Sequence, residues 1–99
     1  MPAYIISRAR VIDPEKYEKY RLGALPLLER FGARYVARTA EVESLEGDDW
    51  DGSTLAVLEF PSLEAAKGFW ASPEYQEVQA LREGAAEMEV ILFDGYRAA

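Results

Sequence analysis

The sequence contains no cysteine and no histidine. Without cysteine no disulfide forms, and nothing points to an oxidising compartment. A thiolate nucleophile, an imidazole base and a Ser-His-Asp triad are all excluded. A structural zinc site loses its preferred ligands, and haem loses a His or Cys axial ligand from this chain. Positive charge is scarce: 11 Lys and Arg stand against 18 Asp and Glu, a formal net charge of −7. That balance repels phosphate backbones and anionic headgroups, so nucleic acid and membrane surfaces are poor partners. Long hydrophobic runs are missing as well. The longest are strand-sized, too short to cross a bilayer. The opening Met1-Pro2-Ala3-Tyr4-Ile5-Ile6-Ser7-Arg8 lacks the basic start and apolar stretch of a secretory signal, so a cytoplasmic location is expected.

What remains is generous in apolar residues. The 99 residues suffice for one domain, 1–99, and 49% of them are hydrophobic. A domain this small has few interior positions, so part of that supply is expected on a partner surface.

Ala3 to Ile12 read as a strand, with apolar residues in both alternating sets. Asp13-Pro14-Glu15 starts a helix: Asp caps, Pro suits the first position, and Glu favours the positive end of the dipole. Tyr17, Tyr20, Ala24, Leu27, Leu28 and Phe31 follow at helical spacing. Pro26 predicts a kink or break, and Gly32 closes the helix. Arg34 to Leu45 reads as a long strand and Glu46 to Ser53 as an acidic loop carrying Trp50. Thr54 to Phe60 is a third strand. Ser62 caps a second helix with Ala65, Ala66, Phe69 and Trp70 inward. Ser72-Pro73-Glu74 breaks and restarts it, and Tyr75, Val78, Gln79 and Leu81 continue. Glu89 to Asp94 is a last strand, and the tail from Gly95 to Ala99 is expected to be loosely held.

The order is βαββαβ, the ferredoxin-like split βαβ arrangement of an α+β protein. A four-stranded antiparallel sheet carries two (broken) helices on one face. Strands apolar on both faces do not suit a bare second face, and pairing two sheets as a homodimer would cover it.

Several segments together resemble a family of short bacterial domains of unknown function within the dimeric α+β-barrel superfamily. They are Ala3-Tyr4-Ile5-Ile6 leading to Asp13-Pro14, Gly32-Ala33-Arg34-Tyr35-Val36-Ala37-Arg38, and Leu45-Glu46-Gly47-Asp48 with Trp50. Val57-Leu58-Glu59-Phe60-Pro61-Ser62 follows, then Trp70 with Ser72-Pro73-Glu74-Tyr75-Gln76, and Arg82. Ala33 stands where the family often has a second Gly. The resemblance spans nearly the whole chain and implies the fold and the dimer. It implies no activity. The wider superfamily includes cofactor-free monooxygenases, isomerases, haem-binding members and plain ligand binders, and fold chooses none of them.

Arg38 and Glu59 interrupt strands where apolar residues are expected, and a cleft-lining charge is costly unless paired. They are the catalytic candidates: Glu59 as general base or orienter, Arg38 as anchor of an anionic or carbonyl group. The alternative is a structural ion pair within a sheet or across the dimer. Trp50 is either a lid over a pocket or an anchor for its loop. Arg8 and Arg10 share a strand face with Tyr4 and Ile6; they bind an anion or answer Glu41, Glu43 or Glu89 on neighbouring strands. Tyr17, Tyr20, Tyr35, Phe69, Trp70 and Tyr75 are core by spacing, with one or two hydroxyls free to reach a cavity; Tyr35 joins Arg38, Glu59, Trp50 and Arg8 as a ligand-binding candidate. The acidic run Gly47-Asp48-Asp49-Trp50-Asp51-Gly52 does not make a calcium loop. With Gly52 as the central glycine, positions one and twelve fall on Gly47 and Leu58, neither a carboxylate. No metal and no cofactor are expected. Three functions follow: binding of a small organic molecule in a cleft of the sheet, cofactor-free proton-transfer catalysis of monooxygenase or isomerase type using Glu59 and Arg38, or a dimeric interaction module.

Overall fold

A computed structural model describes residues 1–48 and 50–95. The elements run β1 (Ala3–Val11), α1 (Pro14–Arg30), β2 (Arg34–Thr39), β3 (Thr54–Phe60), α2 (Leu63–Ala71), α3 (Pro73–Ala80) and β4 (Ala86–Asp94). The four strands form one antiparallel sheet in the order β2-β3-β1-β4, the ferredoxin-like arrangement.

The capping signals act as read. Asp13 accepts from Lys16 N at 3.1 Å, Ser62 from Ala65 N at 3.0 Å, and Ser72 from Tyr75 N at 3.1 Å. Ser72 also donates its hydroxyl to the Phe69 carbonyl at 2.8 Å, so one residue ends α2 and begins α3. Gly32, at φ +78°, ends α1; its N–H donates to the Glu29 carbonyl, and Ala33 N–H reaches back to Leu28.

Three boundaries differ from expectation. Helix α1 runs unbroken through Pro26. Leu22 and Pro26 both face solvent, so water can satisfy the Leu22 carbonyl that proline leaves without a donor. Strand β2 stops at Thr39 and not at Leu45, because the Thr39 hydroxyl accepts from Glu41 N at 2.9 Å and turns the chain out of the ladder. Strand β4 begins three residues early, at Ala86, where the long β1 offers Val11 as a partner. Pairing there overrides the weak strand preference of Ala86 and Glu87. The expectation for the C-terminal tail falls on residues 96–99, outside the described residues.

One face of the sheet packs on the helices. Ala3, Ile5 and Phe60 meet Leu27, Leu28, Ala66, Phe69 and Tyr75 there. A smaller cluster joins Ala9, Tyr17 and Ala85. Among the described residues no helix covers the other face. The ladders put Tyr4, Ile6, Arg8 and Arg10 there beside Leu55, Val57 and Glu59 on one flank and Glu87, Glu89, Ile91 and Phe93 on the other. Ile91 is 58% exposed and Phe93 41%, so the open face carries large apolar side chains among its charges. The result is a slab of 36 × 36 × 16 Å, one helix layer on one sheet.

A candidate functional site between helices and sheet

A bulge in β2 decides which candidates meet. Tyr35 opposes Leu58 and Ala37 opposes Val57, leaving Val36 unpaired between them. Arg34 therefore lies on the open face opposite Glu59, whereas Arg38, opposite Ala56, falls on the helix face with Tyr35.

Arg38 and Glu59 are thus not brought together, and the joint site imagined for them has no geometric basis in one chain. Glu59 accepts from the Tyr4 hydroxyl at 2.8 Å and from Arg34 Nε at 2.9 Å. The Tyr4 hydroxyl first, then the Arg34 guanidinium, hold its carboxyl below the usual range. A general base acting near neutrality needs the opposite shift. Arg38 is exposed at the edge of the helix side, where its charge reaches Tyr17, Tyr35 and Glu18.

Arg8 and Trp50 also belong to the open face. The Arg8 guanidinium lies 4.8 Å from the centre of the Trp50 ring and 3.7 Å from Asp51. Asp51 in turn accepts from Ser53 N at 3.0 Å and from the Ser53 hydroxyl. The indole Nε1 is buried without a hydrogen-bond acceptor among the described residues. Arg10 answers Glu87 at 2.5 Å, not Glu41, Glu43 or Glu89.

The space with chemical character lies on the other side of the sheet. A cavity of about 40 Å³ opens between α1, α3 and the strands. Ile5, Leu58, Phe69, Trp70 and Val90 supply apolar wall; Ser7, Tyr20, Tyr35, Tyr75 and Arg82 supply polar groups. Only Tyr35 among the named ligand candidates lines it. Tyr20 and Tyr75 join hydroxyl to hydroxyl at 2.8 Å. Burial is the first cause raising both phenols. For Tyr75, the Tyr20 hydroxyl and the Arg82 charge pull the other way. The Tyr75 ring is fixed by Phe69, with centroids 4.4 Å apart, and by Trp70 at 5.3 Å. Arg82 lies over the Tyr20 ring, its guanidinium carbon 5.2 Å from the centroid, with Nη1 2.6 Å from Met88 Sδ.

Helical spacing marked Tyr20 and Tyr75 as core: Tyr75 is buried, and Tyr20 packs half-buried against the core. The signal that distinguishes them is the phenol itself: a tyrosine at an inward position needs a partner for its hydroxyl. Arg82 has no such signal, since it follows the last turn of α3, outside any periodic pattern.

The sequence matches the family described as "Domain of unknown function (DUF1330)" over residues 2–96. No protein of curated function matches it. Among solved structures, the RPA0582 protein of unknown function from Rhodopseudomonas palustris is 23% identical with a TM-score of 0.76, over 98% of this chain and 84% of that one. SnoaB, a cofactor-independent oxygenase from Streptomyces nogalater, is 17% identical with a TM-score of 0.68, over 98% and 95%. At3g17210 from Arabidopsis thaliana is 21% identical with a TM-score of 0.68, over 98% of each chain. At these identities the likeness is one of fold.

Proposed function

The chain belongs to the DUF1330 family, a membership that brings no activity with it, and from its own geometry we propose that it binds a small, flat organic molecule between helices and sheet, as a cytoplasmic homodimer. The observation that carries this is the Tyr20–Tyr75 hydroxyl pair beside an otherwise apolar, aromatic-walled cavity. Ligand sites have this composition: apolar walls for affinity and a few polar groups for orientation. The cavity of about 40 Å³ holds roughly a few waters, so a ligand must be flat and must displace them or part the helices slightly.

The homodimer rests on the open face of the sheet. Ile6, Leu55, Val57, Ile91 and Phe93 lie there with no helix over them, and a second copy of the same face would bury them.

A second reading is chemistry without a cofactor, the kind named for SnoaB. Its support is the shared fold together with a cavity that has phenols and two arginines, Arg21 and Arg82, but no thiol or imidazole. Among the described residues no carboxylate lines that cavity, and the phenols are held high by burial, so no ready base is at hand there. Binding is therefore preferred, and turnover would have to begin from a substrate that arrives already ionised.

Native mass spectrometry of freshly purified protein tests the proposal. A dimer mass carrying a retained small molecule is expected. A bare monomer at micromolar concentration would overturn the dimer, and loss of the adduct in Leu55→Glu but not in Tyr20→Phe/Tyr75→Phe would move the ligand to the open face.

A further inference from the structure

The charge on the cavity wall says what kind of molecule belongs there, given that the binding reading holds. Seven arginines lie among the described residues. Arg8, Arg10, Arg21, Arg30 and Arg34 each have a carboxylate within ion-pairing distance. Arg38 is exposed. Arg82 is half-buried, lines the cavity and pairs with no carboxylate among the described residues. Its contacts are a thioether, which is a weak acceptor, and the face of Tyr20. The other arginine of the wall, Arg21, is taken by Glu18 through Nε and Nη2 at 2.5–3.2 Å.

The absence of an acid at Arg82 among the described residues is notable in a chain with 18 Asp and Glu. A half-buried guanidinium without a counter-ion keeps part of its desolvation cost uncompensated. The phenol pair beside it has hydrogen-bonding capacity to spare. One of its two hydroxyl protons is used between Tyr20 and Tyr75, and the other can be donated to an incoming oxygen. The guanidinium donors not turned to Met88, with one phenol proton, make a site for an oxyanion, and the planar fork matches two coplanar oxygens best.

We propose that Arg82 is the seat of an anionic group, and that the molecule bound beside Tyr20 and Tyr75 is a flat organic carboxylate. The aromatic wall of Phe69, Trp70 and Tyr75 takes its apolar body. Arg82 acts here as a binding and specificity residue, choosing the charged ligand over a neutral one of the same shape.

Benzoate and benzamide form the test pair, equal in size and planarity and different in charge. Their affinities for the full chain are measured by calorimetry or ligand-observed NMR at low salt. Benzoate is expected to bind at least tenfold more tightly than benzamide. Arg82→Gln should remove that preference and leave the benzamide affinity within about threefold. Arg82→Lys, which keeps the charge and loses the fork, should give an intermediate preference and serves if the Gln variant does not fold. Arg10→Gln, which removes a charge from the open face, should change nothing. Benzamide binding equal to benzoate, or a preference that survives Arg82→Gln, overturns the anion seat and leaves the cavity as a neutral binding site. Binding of neither probe overturns both.

Discussion

The hydroxyl pair makes a sharp energetic prediction. Tyr20→Phe and Tyr75→Phe each delete one oxygen and leave the ring in place. Ring contacts survive: Tyr75 keeps Phe69 at 4.4 Å and Trp70 at 5.3 Å, and Tyr20 keeps Tyr17 at 5.6 Å. What is lost is a 2.8 Å hydroxyl–hydroxyl bond, and what is left is one phenol without that partner in a largely apolar wall. A neutral bond is worth about 1 kcal/mol net, and an unsatisfied buried group costs about 1–3 kcal/mol. Each single variant should therefore lose about 1.5 kcal/mol. The double variant leaves no orphan, so it should lose only the bond, about 1 kcal/mol, and not the ~3 kcal/mol sum. The coupling is then about 2 kcal/mol. Urea unfolding followed by tryptophan fluorescence measures all four proteins, and unchanged m-values would show that the unfolded states are comparable. Additivity within about 0.3–0.5 kcal/mol would refute the reasoning. It would mean that the hydroxyls are not coupled in solution, and the polar feature of the cavity would lose its basis.

Other expectations follow from the same geometry. Glu59→Gln should leave benzoate affinity within about threefold, because Glu59 lies on the opposite face of the sheet from the cavity; a larger loss would restore it to the site. Gly32→Ala should cost about 1–2 kcal/mol and lower Tm by about 4–8 °C per kcal/mol, since φ +78° disfavours a side chain and the new Cβ would lie 3.2 Å from Pro61 Cγ. An unchanged Tm would deny that backbone geometry. Tyr17, Tyr20, Tyr35 and Tyr75 are all raised above 10.0, mainly by burial. Their contribution is fully present below the unfolded value near 10 and is lost as pH rises above it toward the folded values, because the unfolded chain releases its protons first. Stability measured from pH 8 to 12 should therefore fall on the alkaline side of about 10, with most of the phenolate absorbance of the six tyrosines appearing together with unfolding; phenolate absorbance of the folded protein at pH 10 greater than two tyrosines can supply would contradict the burial.

Much of the fold was legible along the chain because it is written in local chemistry. Asp13-Pro14, Ser62 and Ser72-Pro73 start helices wherever they occur, since each supplies an acceptor or a fixed φ to its own neighbours. Apolar residues in both sets of β1 foretold a sheet with something to hide on each side, and the open face bears Ile6, Ile91 and Phe93. Where the readings diverged, a distant group decided. Pro26 is harmless because its missing bond faces water, a property of how α1 lies on the sheet. Strand β4 is longer than its own residues argue for because β1 extends beside it. The site depended most on tertiary structure. Strict alternation from Arg34 puts Arg38 on the same face as Glu59, and one unpaired residue, Val36, turns it to the other face. Chain pattern has period two and carries no mark of a bulge, which arises from how two strands settle against each other. In the same way the chain could show that tyrosines at helical spacing face inward. Only the packing of α1 against α3 could bring Tyr20 to Tyr75, 55 positions away, and set Arg82 beside them with no acid among the described residues.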